Sequence, residues 1–179
     1  MLEIEIVEMR SNAQPMKEVA ELFCEVFSEG PWKEDLTPEQ VMISMKEQFN
    51  KPNIIVLACL KDRKVVGFTW MYEIFESDLR EGTRYSPELK FLFAGQRKVF
   101  YLQEVGTKKE VRGQGIGERL TRELLKKGKE KRANVVVLST NSKAIPAISL
   151  FSKIGFQNSG VIRPPRELGR TYWILKLGD

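Results

Sequence analysis

The chain has 179 residues, 42% hydrophobic and 30% charged, so it can bury a core without a disulfide or metal staple. Its 29 basic and 24 acidic residues leave a formal charge of +5 and a sequence pI near 9.2, which suits anionic partners but equally a solvated basic surface. There is no histidine, which excludes Ser-His-Asp triads, Cys-His pairs, histidine bases and histidine metal sites.

The first residues, MLEIEIVEMR, lack the basic start and apolar core of a secretory signal. The longest apolar run, Ile54 to Leu60, is too short to span a bilayer. A cytoplasmic location without membrane contact is the expectation. Cys24 and Cys59 are far apart among apolar neighbours and read as buried free thiols, in keeping with a reducing compartment.

The segment EIEIVEM alternates polar and apolar residues and predicts a half-buried strand. Val19, Leu22, Phe23, Val26 and Phe27 then recur on one face of an amphipathic helix that ends at Gly30-Pro31. Thr37, Pro38 and Gln40 form a capping-box start for a second helix with Val41, Met45 and Phe49 on one side, stopped at Lys51-Pro52-Asn53. Residues 53 to 75 are rich in β-branched and aromatic side chains and read as two strands joined at Asp62-Arg63; Gly67 marks a bulge or a close backbone approach. Residues 76 to 97 are irregular, with a short helix expected from Pro87 to Phe93. KVFYLQEVGT is the next strand, Gly115 to Lys127 a helix with Ile116, Leu120 and Leu124 in register, and NVVVLST a fully buried strand. The basic run Lys126 to Arg132 falls at that helix's end, where cations complement the dipole, and it lacks the aromatics of a single-strand binding surface. Ile145, Ile148, Phe151 and Ile154 mark a last helix ended by Gly155, and FQNSGVI and TYWILKL close the chain as strands around RPPRELG. The order βααβββαβαββ predicts one α/β domain over residues 1–179. Its single mixed, mostly antiparallel twisted sheet has helices on both faces and a parallel pair near the glycine loop.

The chemistry concentrates in VRGQGIGERL, Val111 to Leu120. A P-loop needs G-x-x-x-x-G-K-[ST], and a dinucleotide fingerprint needs a third glycine where Glu118 stands; both fail on spacing. The pattern R-x-x-G-x-G is met by Arg112, Gly115 and Gly117, between a strand and a helix. The first helical turn leaves N–H groups without partners, glycine lets the backbone curl closely around an anion, and the helix dipole adds positive potential. These features suit the pyrophosphate of coenzyme A.

Here a resemblance becomes specific. YLQEVGTKKEVRGQGIGERL resembles the cofactor motif of the GNAT superfamily of N-acetyltransferases, and ISLFSKIGF its downstream helix-to-strand motif. VVGFTWM and SEGPWKEDLTPEQ resemble the family's preceding strand and early helix pair, so the likeness covers nearly the whole chain. It implies an acyl-CoA N-acyltransferase-like fold in which the cofactor strand splays from its parallel neighbour. Acetyl-CoA is the implied cosubstrate, with no metal, and the implied reaction is direct attack by a primary amine in a ternary complex. By motif match, Gln103, Glu104 and Val105 face the cofactor's amides, and the main-chain amides of Arg112, Gly113, Gln114, Gly115, Ile116 and Gly117 hold the pyrophosphate. With histidine absent, a carboxylate is the expected base: Glu104 first, Glu73 second. Strand alternation puts Gln103 and Glu104 on opposite faces unless a bulge intervenes.

Two departures from the family pattern stand out. Phe151 occupies the place of the family's frequent tyrosine acid, leaving Ser152, water or unaided thiolate departure. Ala144 replaces a cofactor-contacting asparagine; Asn141 could compensate only through a rearranged loop and otherwise reads as a turn former. By analogy with the fold, the acceptor, a small-molecule or peptide amine, lies near Trp32 to Asp35 and residues 76 to 97. Glu73, Glu76 and Asp78 would attract a cation, and Trp70, Tyr72 and Phe75 would line a pocket. The protein is expected to be a monomer or homodimer. A non-catalytic acyl-CoA-binding module is the alternative function. The net charge motivates a third, acyl transfer linked to nucleic acid, although nucleic acid is not the expected partner.

Overall fold

The computed structural model describes residues 4–11 and 14–178. Its elements are β1 (Ile4–Glu8), α1 (Met16–Ser28), α2 (Pro38–Gln48), β2 (Ile55–Lys61), β3 (Lys64–Ile74), β4 (Val99–Thr107), α3 (Ile116–Glu130), β5 (Val135–Asn141), α4 (Ile145–Ile154), β6 (Gln157–Ile162) and β7 (Arg170–Lys176). The expected order is the observed one, although α3 runs a little past Lys127. Glu3, at the start of the expected first strand, lies outside the described residues. One seven-stranded sheet has the order β1-β2-β3-β4-β5-β7-β6. Its neighbours are antiparallel except β4 and β5, which are parallel.

Alternation along the central strands feeds two apolar clusters. Val56, Phe68, Trp70, Tyr72 and Tyr101 join the buried faces of α1 and α2, while Leu57, Met71, Phe100 and Val136 join those of α3 and α4. On α1 the buried side chains include Val19, Leu22, Phe23 and Phe27, as its periodicity requires. At α2 the capping box forms: the Gln40 amide donates to Thr37 Oγ1 (3.3 Å) and the Thr37 amide to Gln40 Oε1 (2.8 Å). Gly67 satisfies both expectations. The β2–β3 register slips beside it, and a Cβ there would lie 2.9 Å from Leu120 Cδ1, so its absence lets α3 press onto the sheet.

Two features prepare the site. The parallel ladder between β4 and β5 spans only Val99–Tyr101 against Val135–Val137. Both strands then continue, to Thr107 and Asn141, without pairing to each other, and a gap opens between them. The irregular segment after β3 contains short 3-10 helices at Glu76–Asp78 and Pro87–Phe93, the second as expected from sequence, with Leu89 and Leu92 buried. The Tyr172 hydroxyl donates to the Arg84 carbonyl and accepts from the Ser86 amide (3.1 Å), tying this segment to β7.

Candidate active site

The glycine loop leads from β4 into α3 as a ring of available donors. Gly113 (φ 77) and Gly115 (φ 78) adopt left-handed conformations that strain any residue with a Cβ, and a Cβ built on either would meet nothing within 4 Å. That open space is the cradle. Among the described residues, the amides of Gly113, Gly115, Ile116 and Gly117 have no backbone acceptor, nor has that of Glu118. Two amides expected in the cradle are already committed: Arg112 donates to the Lys109 carbonyl (3.2 Å) and Gln114 to that of Val111 (3.4 Å). Gln114 does not line the cleft, which is a correction to the motif-based expectation. The short 3-10 turn at Lys109–Val111 uses these two amides to close the loop. A diphosphate fits the remaining donors and the end of the helix dipole.

The Arg112 guanidinium lies on the rim of this cradle. It donates through Nε to the Thr107 carbonyl (3.3 Å) and through Nη1 to Glu29 Oε2 (2.9 Å), and Lys109 Nζ is 4.0 Å from the same carboxylate. The hydrogen bond and charge of Arg112, then Lys109, hold the Glu29 carboxyl below its ordinary range. Glu29 is thus an internal anion held by Arg112 at the rim of the cradle.

Beside the cradle, β4 carries a bulge. Trp70 pairs with Glu104 but Met71 with Leu102, leaving Gln103 as the extra residue. The Thr69 hydroxyl stabilises the kink by donating to the Glu104 carbonyl (2.8 Å). Strict alternation would put Gln103 and Glu104 on opposite faces; the bulge brings both into one cavity of about 140 Å³. Gln103 Nε2 donates to Glu104 Oε1 (3.2 Å), and the Tyr72 hydroxyl donates to Gln103 Oε1 (2.7 Å). Because the Tyr72 proton is spent on Gln103, the Tyr85 hydroxyl must be the donor in the Tyr72–Tyr85 contact. This relay fixes the amide orientation that presents a donor to Glu104.

The Glu104 side chain keeps some accessible surface, but that surface faces the cavity rather than bulk solvent. Burial therefore dominates and pushes its carboxyl up to about 7, with Arg84 opposing and Glu34 adding to the rise. Glu34 is likewise raised by burial, against the pull of Arg170, Arg84 and Arg163. The cavity also takes in Arg84, Arg163 and Arg170. A larger cleft of about 390 Å³ runs over the glycine loop, and the two spaces share Val26, Trp32, Val105, Ala147 and Phe151 as walls. A donor-lined anion cradle thus lies beside a chamber containing a carboxyl poised near neutrality, with apolar side chains between them.

Residues 16–156 match the family described as the Acetyltransferase (GNAT) family. The chain belongs to the GNAT family. A mycothiol acetyltransferase of Arthrobacter sp. (strain FB24) is 27% identical over 130 residues, 73% of this chain and 35% of the relative. The chain therefore spans about a third of the length of the curated relative it matches. Among solved structures, the ribosomal-protein-alanine N-acetyltransferase of Brucella melitensis aligns with a TM-score of 0.72 at 18% identity, covering 97% of this chain and 99% of that one. The PaiA N-acetyltransferase of Thermoplasma acidophilum, in complex with coenzyme A, gives 0.68 at 16% identity, covering 98% and 99%. These structural likenesses establish the GNAT acyltransferase fold.

On this GNAT fold, the predicted site residues divide. Gln103, Glu104 and Val105 face the cavity; Arg112, Gly113, Gly115, Ile116 and Gly117 line the cleft; Phe151 walls both. Glu73 belongs elsewhere. It pairs with Phe100 on the α3 face, opposite to Glu104. Its carboxylate accepts from Asn53 Nδ2 (2.5 Å) and lies 3.5 Å from Lys98 Nζ, so it is a buried structural acid outside both spaces. Asn141 also lies outside the cleft. Its Nδ2 donates to the Leu168 carbonyl (2.7 Å) and its Oδ1 accepts from the Lys143 amide (2.8 Å), the turn-forming role, while Ala144 lines the cleft.

The expected acceptor residues are corrected too. Glu76 pairs with Lys90 (3.3 Å), Asp78 accepts from the Phe75 amide (2.7 Å), Phe75 is exposed, and Trp70 and Tyr72 are core residues. Trp32 and Glu34 do line the cavity, as their segment suggested. Arg84 comes from the segment 76 to 97 expected near the acceptor, though not singled out there; missed in the sequence were Arg163 and Arg170, and Glu29 over the cradle. The concentration of arginine in the turn RPPRELGR was the available signal for two of them. Among the described residues, no group of three or more His, Cys, Asp or Glu side chains is arranged to hold a metal ion, and no helix is long and apolar enough to cross a membrane.

Proposed function

We propose that the chain is an acyl-CoA-dependent N-acyltransferase that moves an acetyl group from acetyl-CoA to a primary amine by direct attack in a ternary complex. The observation that supports this reading is the adjacency of the two spaces, which share Val105 and Phe151 as walls. Acetyl-CoA supplies an activated thioester. The amides of Gly113, Gly115, Ile116, Gly117 and Glu118, with Arg112, hold its pyrophosphate, and the gap between β4 and β5 admits the rest of the cofactor. Glu104 takes the proton that the attacking amine must lose; the new C–N bond forms as the C–S bond breaks, and sulfur leaves with the electron pair. Phe151 offers no proton to that sulfur, so the thiolate departs unaided or takes a proton from water. Family membership and a relative named for acetylating a ribosomal-protein alanine support an amine acceptor. The test is release of free thiol from acetyl-CoA in the presence of an amine panel. Release above the uncatalysed rate supports the reading, and its absence with every amine despite cofactor binding overturns it.

Phe151, without a hydroxyl in the wall between the two spaces, favours a second reading, a non-catalytic acyl-CoA-binding module. Calorimetric binding of acetyl-CoA with no turnover would establish it.

A further inference from the structure

The charged chamber around Glu104 has more arginine than an amine-binding pocket needs. Arg84, Arg163 and Arg170 come from three separate loops and strands, are half-buried, and line the same small cavity. Among the described residues none of the three forms an ion pair with a carboxylate. Arg163 donates through Nη1 to Ser139 Oγ (2.9 Å), and the Arg170 guanidinium stacks over the Trp32 ring at 5.5 Å. Both hold their planes in place while leaving donors unused. The Nε atoms of Arg163 and Arg170, and Thr140 Oγ1 in the same cavity wall, are buried without any partner among the described residues. Native proteins rarely leave such polar atoms unmet, so this cluster beside one cavity calls for a partner, water or ligand, that the protein itself does not supply.

Charge counting narrows the ligand. The chamber holds three guanidinium groups and two carboxyl groups, Glu34 and Glu104. With both carboxylates ionised, as Glu104 must be to act as base, one positive charge is uncompensated. That excess suits an acceptor that places one carboxylate against the arginines, and it disfavours a polycation, which three arginines would repel. Size narrows it further. About 140 Å³ is close to the ~150 Å³ cavity that admits a benzene-sized molecule, so the chamber takes a ligand of few heavy atoms.

Resting on the acyl-transfer reading, we propose that Arg84, Arg163 and Arg170 form a carboxylate receptor, and that the acceptor is a small amino acid-like molecule carrying its amine and one carboxylate together. The arginine forks bind the carboxylate, and the acidic pair draws the ammonium end toward Glu104. The receptor thereby orients the nitrogen toward the shared wall at Val105 and Phe151.

The experiment compares matched acceptors. Initial rates of thiol release from acetyl-CoA are measured with glycine, β-alanine, alanine and 4-aminobutyrate, with the amide of each, and with spermidine. The proposal expects kcat/KM for the best acid to exceed that of its amide by about ten- to a hundredfold, the range of a charge-assisted hydrogen-bond pair, and spermidine to be poorer still. In Arg163→Gln and Arg170→Gln the acid-to-amide ratio should collapse toward one. Amides or spermidine turned over as well as the acids would overturn the carboxylate receptor while leaving acyl transfer intact. In parallel, calorimetry on the CoA-loaded protein compares N-acetylglycine with N-acetylglycinamide. Selective binding of the carboxylate without turnover would support the receptor and overturn the acyl-transfer reading. Failure to discriminate in both rate and binding overturns the receptor, whatever the arginine variants do.

Discussion

Replacing Glu104 with glutamine is expected to slow the protein and stabilise it in the same stroke. Burial moves the Glu104 carboxyl from 4.5 to about 7, and a shift of that size separates its neutral and ionised forms by at most about 3 kcal/mol, less what cavity water screens. The unfolded chain sheds this proton near 4.5, while the folded chain keeps it until about 7. Between those values the native state binds more protons than the unfolded state, so stability falls as pH rises and levels off above about 7. Glutamine is never charged and can still accept from Gln103 Nε2 through its carbonyl. Variant and wild type should therefore melt together near pH 4.5 and diverge by several degrees at about pH 8, with the variant higher. Activity moves the other way. Loss of a general base costs on the order of 10²- to 10⁴-fold in kcat. Below about pH 7 the wild-type rate should climb with the ionised fraction of Glu104, and the variant should lose the limb due to this group. Thermal melts at fixed ionic strength between about pH 5 and 8.5, paired with thiol-release rates, read both effects. A variant that melts below wild type at pH 8, or keeps the Glu104 limb, would refute the buried-base argument.

Further tests address neighbouring features. Glu29→Gln removes the internal anion from Arg112 and should tighten acetyl-CoA binding a few-fold by calorimetry; unchanged or weaker binding would show that Glu29 does not compete for the cradle. Glu73→Ala should lower stability by about 1–3 kcal/mol, measured by denaturant unfolding, because Asn53 and Lys98 lose a buried partner. Its kcat should stay within a few-fold, since Glu73 lies off the cleft. Gly106→Ala would place a Cβ 2.4 Å from Phe68 Cζ in the packed core, whereas at Gly128 the equally close atom is the movable Met71 Cε. The first should cost about 1–3 kcal/mol and the second should be near neutral, and equal melting points would contradict this packing.

What could be read from the sequence follows from how local each feature is. The glycine cradle is coded by neighbours: a strand, two glycines at positive φ and a helix start lie within a few residues, and the donors are main-chain atoms. The capping box at Thr37 and the Pro87 helix were legible for the same reason. Even there, the hydrogen bonds that commit the Arg112 and Gln114 amides depend on a 3-10 turn that no residue type announced. The bulge at Gln103 is less visible still. No glycine or proline marks it, and it exists because β4 must keep pairing with β3 while pulling away from β5. Alternation, applied without it, leaves Glu104 facing the wrong way and cannot rank Glu104 above Glu73.

The arginine chamber lies furthest from sequence logic. Arg84 reaches it because Tyr172, eighty-eight positions away along the chain, holds its carbonyl. Arg163 and Arg170 flank the turn between β6 and β7 and line the same space. Each is an ordinary cation when read alone, and only their convergence on one cavity supports the proposed receptor. In this fold the cofactor end is written in main-chain geometry, which tolerates distant sequence change. The acceptor end is written in side chains brought together by loops, which can be exchanged without disturbing the sheet. The same division explains how structures at 18% identity or below keep the fold, and on the proposed reading acceptor choice rests with Glu34, Arg84, Arg163 and Arg170 rather than with the motif that identifies the family.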